Sequence, residues 1–157
     1  MNKVIVTDYI NKYQKNKERS LFIFLILGVC WLTITLSLLL ISKRPYLIYL
    51  LINILITILY GFYAVYFFSI IYKLKKETVN FLKKIDNGII EKEYAVYAKK
   101  LEDEKIGNLV IHVYMFNSLD GKERKLRCFD NIEFNNGKYY LETKLDYIIS
   151  FEAYKYE

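Results

Sequence analysis

Two long apolar runs set the pattern of this chain. Residues 21–42 and 47–72 contain no Asp, Glu, Lys, Arg or His, and only Lys43, Arg44, Pro45 and Tyr46 separate them. A bilayer core about 30 Å thick takes about 20 apolar residues per spanning helix. The pattern therefore predicts a two-helix transmembrane hairpin with spans 21–42 and 47–72. Pro45, the only proline, falls where both helices must stop. The first run is longer than the apolar stretch of a signal peptide, and no small-residue cleavage site follows it. Position 2 is Asn and the last two residues are Tyr-Glu, so no lipidation motif is visible.

Outside the runs the period changes twice. Residues 1–20 read as an N-terminal cytoplasmic amphipathic segment, with a helix over 7–20 capped by Thr7 or Asp8. Its apolar members are Tyr9, Ile10 and Tyr13, and Val4, Ile5 and Val6 before the cap pack on the tail or on a partner. Residues 73–88 read as a juxtamembrane helical stalk. Leu74, Thr78, Phe81, Leu82 and Ile85 share one face, and Lys73, Lys76, Lys83 and Lys84 lie off it. That stripe either docks on the tail or joins stalks in an oligomer. Asp86-Asn87-Gly88 ends the helix, with Gly88 a natural C′ residue.

From residue 89 the pattern alternates, and 89–157 reads as a cytoplasmic β-domain. Ile90, Tyr94, Val96 and Ala98 share a face of the first strand. Residues 109–116 are apolar on both faces, as in a central strand. Arg124, Leu126 and Cys128 alternate with Lys125, Arg127 and Phe129. Tyr139, Leu141 and Thr143 mark a fourth strand, and Tyr147, Ile149, Phe151 and Ala153 a fifth. Asp120-Gly121 and Asn136-Gly137 signal tight turns between successive strands. The fold class is thus an α+β membrane protein: a hairpin followed by a small antiparallel five-stranded β-domain that curls into a barrel.

Charge adds an orientation. Lys3, Lys12, Lys15, Lys17 and Arg19 stand against Asp8 and Glu18 before the first span. Lys73, Lys75, Lys76, Lys83 and Lys84 stand against Glu77 after the second, and the connecting loop has only Lys43 and Arg44. The positive-inside rule then places both termini in the cytoplasm, in a bacterial inner membrane. The net charge of +6 hides an uneven map. Residues 85–157 carry 11 basic and 14 acidic side chains, a net charge of −3, so the tail lacks the footprint of a nucleic-acid binder. The lysines beside the spans meet anionic lipid instead. Cys30 lies in the first span and Cys128 in the tail, so they read as two apolar fillers rather than a bridge.

Candidate chemistry is sparse. In the spans, Cys30, Thr33 and Ser37 lie on one face, and Tyr49, Asn53, Thr57, Tyr60 and Ala64 on another. Folding about the turn sets Ser37 near Asn53 and Thr33 near Thr57, as helix glue or as the lining of an oligomeric pore. Trp31, near mid-span, needs an acceptor for its indole N–H. His112 has no Cys or His at metal spacing and reads as packed. Glu102, Asp103 and Glu104 read as a solvated loop beside Lys99, Lys100 and Lys105. No nucleophile elbow, metalloprotease helix, P-loop or dinucleotide fingerprint occurs, so no catalytic residue, metal or cofactor is expected. The basic strand Lys122, Arg124, Lys125, Arg127 stands near aromatics Tyr114, Phe116, Tyr139 and Tyr140. Arg124, Lys125, Arg127, Tyr114 and Tyr139 are the candidates for a pocket that takes a small anionic, nucleotide-like ligand; the alternative is an exposed strand face near anionic lipid.

The tail also has a cadence: Gly88 before a strand, Gly121-Lys122-Glu123, a basic-apolar strand, Asn136-Gly137-Lys138-Tyr139-Tyr140, and Ile148-Ile149-Ser150-Phe151-Glu152. Over residues 88–152 this resembles uncharacterised bacterial membrane proteins of the DUF2500-like type. The resemblance implies N-terminal helices and a small OB-like barrel, and carries no chemistry. In architecture alone the chain is similar to two-helix membrane effectors of bacterial antiviral signalling, in which a cytoplasmic domain binds a cyclic nucleotide and the helices disrupt the bilayer.

The expectation is therefore a non-enzymatic membrane protein whose hairpin anchors a β-domain that binds a partner protein or a small anionic ligand. The alternatives are a ligand-gated oligomeric effector and a membrane immunity or accessory subunit.

Overall fold

The computed structural model describes residues 2–3, 6–41, 46–107 and 109–154. The expected turn over 43–45 and the packing of Val4 and Ile5 lie outside them. The chain divides into a helical unit, residues 14–77, and a β unit that joins residues 1–13 to residues 78–157.

The helical unit holds most of helix α1, Val6–Ile41, and all of helix α2, Tyr46–Tyr66. A π-helical segment, Phe67–Tyr72, and the start of helix α3, Lys73–Asp86, follow. Two helical stretches, Val6–Leu40 and Leu47–Asp86, are long and apolar enough to cross a membrane. Their large apolar side chains face outward around the helices, among them Phe22, Val29, Leu36 and Leu40 on α1 and Leu47, Leu55 and Phe62 on α2. α1 is one continuous helix rather than an amphipathic segment followed by a span. It starts at Val6, before the expected cap, so Asp8 lies in the first turn, where its charge suits the positive end of the helix dipole.

Among the described residues the β unit contains seven strands in one mixed sheet rather than five antiparallel ones. They are β1 (Asn2–Lys3), β2 (Ile90–Lys100), β3 (Glu104–Ile106), β4 (Leu109–Ser118), β5 (Glu123–Cys128), β6 (Lys138–Lys144) and β7 (Tyr147–Ala153). β4 lies between β2 and β5, as its two-sided apolar pattern predicts, and also pairs with β3. β6 pairs with both β2 and β7. β5 meets β7 in parallel through Arg127 opposite Tyr147, and β1 pairs antiparallel with β7 at Phe151 and Ser150.

One turn assignment holds and one changes. Asp120-Gly121 does turn between β4 and β5, with Gly121 at φ +76°. Asn136-Gly137 does not join paired neighbours, because β5 and β6 are not adjacent; it ends the long loop before β6. The tight hairpin is instead Lys144–Tyr147, where Leu145 (φ 50°) and Asp146 (φ 65°) both take left-handed backbone. Neither residue is glycine, so this turn carries strain that its sequence does not advertise.

The shared face of Ile90, Tyr94 and Val96 on β2 is the outer one. Tyr94 and Val96 point outward, while Ala95 is buried with Glu93 and Tyr97 half-buried beside it. Ala98 is exposed after a register shift between Tyr97 and Lys99. A strand with apolar residues on both faces offers no alternation from which to choose the inner one. In β7 the buried residues are Tyr147, Ile148 and Ser150, since the pairing with β6 shifts at Glu142/Thr143.

The core of the β unit is shared between strands and helices. Leu82 and Ile85 of α3 and Val6 and Ile10 of α1 join Ile111, Tyr114, Phe116, Leu126, Leu141 and Ile148 in one cluster. The stalk stripe thus docks on the tail, and Leu74, outside this unit, is exposed. Phe134, from the loop before β6, sits among Tyr97, Tyr114, Phe116, Tyr139 and Phe151, with ring centroids 5.0–5.5 Å away. The end of α3 is clamped to the β6–β7 turn. Lys144 donates to the Asp86 carbonyl, one of the helix's unsatisfied C-terminal acceptors. Gly88 has no left-handed backbone, contrary to its expected capping role. Space demands it: a Cβ there would stand 3.0 Å from the Ile85 carbonyl oxygen and 3.2 Å from Leu145 Cγ.

Leu82→Ala leaves a cavity in a fully buried site and is expected to cost about 2–5 kcal/mol in chemical unfolding followed by β-sheet circular dichroism. Leu145→Asn places a residue that tolerates φ > 0 in the strained turn. It is expected to raise stability by about 0.5–1 kcal/mol in the same assay.

Candidate functional site

The five residues expected to form one pocket are not brought together. Tyr114 and Tyr139 point into the core, and their hydroxyls hold the loop before β6. The Tyr114 hydroxyl accepts from the Ile132 N–H at 2.8 Å, and that of Tyr139 accepts from the Asn135 N–H at 3.0 Å. Burial pushes the Tyr114 phenol up to about 12. Their rings are not open to a ligand, because a core this aromatic needs them as filling.

The three cations lie on opposite faces of β5, and each has carboxylate partners. Arg124 reaches Asp146 at 2.7 Å, Glu93 at 3.0 Å and Glu91 at 3.3 Å, and its pKa is raised, chiefly by the hydrogen bond to Asp146. The same Asp146 occupies the strained turn, so the ion pair holds that turn in place. On the other face, Glu104 accepts from Lys125 at 2.7 Å and Arg127 at 2.9 Å. These two hydrogen bonds, that of Arg127 first, lower the Glu104 carboxyl to about 2. The acidic run is therefore not an idle loop. Glu104 begins β3, and Asp103 meets His112 Nδ1 at 2.9 Å. Cys128 is buried, and desolvation pushes its thiol up to about 12.

An exposed aromatic surface lies elsewhere, on the outer face of β2, β6 and β7. Tyr94 on β2 stands directly opposite Tyr140 on β6, with ring centroids 5.1 Å apart. Tyr154, just past β7, meets Tyr94 edge-on at 5.8 Å. One step along the same pair of strands, Val96 stands opposite Lys138. The Lys138 ammonium lies 5.6 Å from the Tyr94 ring centre and 5.4 Å from that of Tyr154. On the other side, Lys92 and Glu142 pair at 3.3 Å. Tyr94, Tyr140, Glu152, Ala153 and Tyr154 line an open cleft of about 830 Å³. The basic strand draws attention in the sequence. The outward parity of Tyr94, Val96, Lys138 and Tyr140 would have revealed this face only if the inner face of β2 had been known.

The helical unit also packs differently from the expected polar stripe. Asn53 donates to the Thr35 carbonyl at 3.2 Å, not to Ser37. Thr33, Ser37 and Thr57 are exposed, and the Thr33 hydroxyl turns back to the Val29 and Cys30 carbonyls of its own helix. Tyr60 does lie at the contact, where its ring stacks on Trp31 at 4.9 Å and 8°. Below it, Phe24 stacks on Phe67 at 4.5 Å. Rings, not hydroxyls, hold α1 to α2. The Trp31 Nε1 is buried with no acceptor among the described residues. Thr33 satisfies its hydroxyl on its own helix, and Ser37 and Thr57 are exposed, which leaves the contact to shape.

In acid titration, Glu104 is ionised down to about pH 2. Its folded pKa is depressed, so its stabilisation is complete above the ordinary carboxylate pKa and is lost as pH falls toward 2. Glu104→Gln is expected to flatten the unfolding midpoint across that window. Cys128 is expected to resist maleimide at pH 8 in the native protein and to label on denaturation. Gly28→Val is expected to loosen the hairpin, because even a Cβ at Gly28 would stand 2.7 Å from the Tyr60 hydroxyl; the readout is Trp31 fluorescence.

Comparison with protein families, curated proteins and solved structures finds no match to this chain.

Proposed function

We propose that this is a non-enzymatic membrane protein in which α1 and α2 cross the bilayer as a hairpin, with both termini in the cytoplasm, and anchor a β-domain that binds a small ligand or partner. The observation that carries the reading is the outward display of large apolar side chains around both helices. A helix apolar on all sides needs lipid or a protein interior around it. The charge asymmetry supports the orientation, because lysines and arginines flank the outer ends of the spans.

The strand pairings support an OB-like barrel. They run from β2 to β4, β5, β7 and β6 and back to β2, with the β5–β7 contact parallel. The DUF2500-like kinship belongs to the same proposal. Binding is assigned to the outer face around Tyr94, Tyr140 and Tyr154 rather than to β5, whose three cations are already neutralised by carboxylates. Exposed tyrosines beside a cation are the surface chemistry of recognition, since each ring offers a large rigid contact and a polar tip.

A second reading, an oligomeric membrane effector, is favoured by one observation: Cys30, Thr33, Ser37 and Thr57 are exposed on the hairpin.

Membranes washed with carbonate are expected to retain the chain. Protease added to inside-out vesicles is expected to remove the β-domain, and protease added to spheroplasts to leave it intact. The opposite cleavage pattern reverses the orientation, and release by carbonate removes the span. Oxidative cross-linking through Cys30 that disappears in Cys30→Ser would select the oligomeric reading.

A further inference from the structure

We infer that the helical unit binds anionic phospholipid through two pairs of cations, Lys15 with Arg19 on α1 and Lys73 with Lys76 on α3, each pair taking one phosphodiester headgroup. The inference rests on the hairpin reading above, which sets these residues at the level of the lipid phosphates. It goes beyond that reading by naming the lipid class and the side chains that select it.

The first support is position. Arg19 and Ser20 run directly into the first apolar run, and Lys73 follows the second with no residue between. Residues 14–20 and 73–77 all belong to the helical unit. A helix that crosses the bilayer carries the turn next to its apolar run into the headgroup layer. Tyr72 closes the second run as a half-buried ring against Phe67 and Phe68, the kind of residue that marks a membrane interface.

The second is uncompensated charge. These two segments carry Lys15, Lys17, Arg19, Lys73, Lys75 and Lys76 against Glu18 and Glu77, a net charge of +4. Lys15, Arg19, Lys73 and Lys76 are exposed, and none forms an ion pair among the described residues. Glu18 instead accepts from the Gln14 side chain at 3.1 Å. The cations of β5 differ, since each already meets a carboxylate.

The third is spacing on a fixed frame. Lys15 and Arg19 stand four residues apart on one helix, and Lys73 and Lys76 three apart on another, so each pair sets like charges on neighbouring turns. Such pairs repel and weaken a helix unless an anion lies between them. A phosphodiester supplies one negative charge and two free oxygens, and the Arg19 fork suits those oxygens. Lys75 joins the two helices, donating to Asn16 Oδ1 at 3.2 Å and to Ser20 Oγ. Both acceptors are neutral, so Lys75 holds the frame and keeps its own charge in the local field.

The test is native mass spectrometry of the full-length protein in a neutral detergent, with equal phosphatidylglycerol and phosphatidylcholine of the same acyl chains. Phosphatidylglycerol is expected to be retained at least about 10-fold over phosphatidylcholine. Lys15→Gln/Arg19→Gln and Lys73→Gln/Lys76→Gln are each expected to remove part of that retention, with the circular dichroism of the β unit unchanged. Lys99→Gln/Lys122→Gln, an equal loss of charge in the β unit, is expected to leave it within about twofold. Equal retention of the two lipids by the unaltered protein overturns the inference, whether or not the variants fold. A loss in the Lys99/Lys122 control as large as in the other pairs also overturns it, because net charge alone then explains the binding. Carbonate washing separates the two levels. A chain that stays in the membrane yet shows no preference for phosphatidylglycerol overturns the lipid site and leaves the hairpin standing. Release by carbonate overturns both.

Discussion

The β unit depends on apolar side chains that its own strands do not supply. Leu82 and Ile85 are buried to 0% and 1% exposure among residues of β4–β7, and Val6 and Ile10 fill the same cluster from the opposite end of the sequence. A β-domain of about this size buries too little surface to be comfortable alone. Borrowing two helix ends enlarges the core, and it fixes where the helices begin and stop. Tyr9 adds a polar tie, its hydroxyl donating to the Asp130 carboxylate at 2.5 Å while its ring packs on Phe129. The Lys144 bond to the end of α3 and the close fit of Leu145 against Gly88 complete the junction.

That arrangement explains where the strain lies. The β6–β7 turn must present Lys144 and Leu145 to α3 and Asp146 to Arg124 at once. A relaxed Asn-Gly turn would keep Lys144 but lose the Asp146 carboxylate that Arg124 meets. Two non-glycine residues with positive φ are tolerated because three separate contacts hold them. The same logic accounts for the crowded cations of β5, which brace the sheet at Asp146 and Glu104.

Much of the architecture was legible from periodicity. The two runs free of charge marked the helices, and the two-sided apolar run of 109–116 marked a central strand. The stripe of Thr78, Leu82 and Ile85 marked the docked face of α3. What stayed hidden has physical causes. β2 carries apolar residues on both faces, so alternation could not say which one faces inward. Leu145-Asp146 lacks the glycine or asparagine that marks such a turn, and β1 is two residues that acquire meaning only beside β7. The candidate site was misplaced for a related reason. Sequence shows where cations cluster, but not that each already has an acid beside it, and an isolated Lys138 gives no signal until Tyr94 and Tyr154 are seen around it.

The pairing of β1 with β7 has a consequence for biosynthesis. Asn2 and Lys3 find their partners in Phe151 and Ser150, and Val6 and Ile10 share a core with strands made well after them. Asn2 and Lys3 therefore wait for their partners until β7 has been synthesised, after both apolar helices. Pairing of β1 with β7 closes a long loop, and that closure is entropically costly and slow.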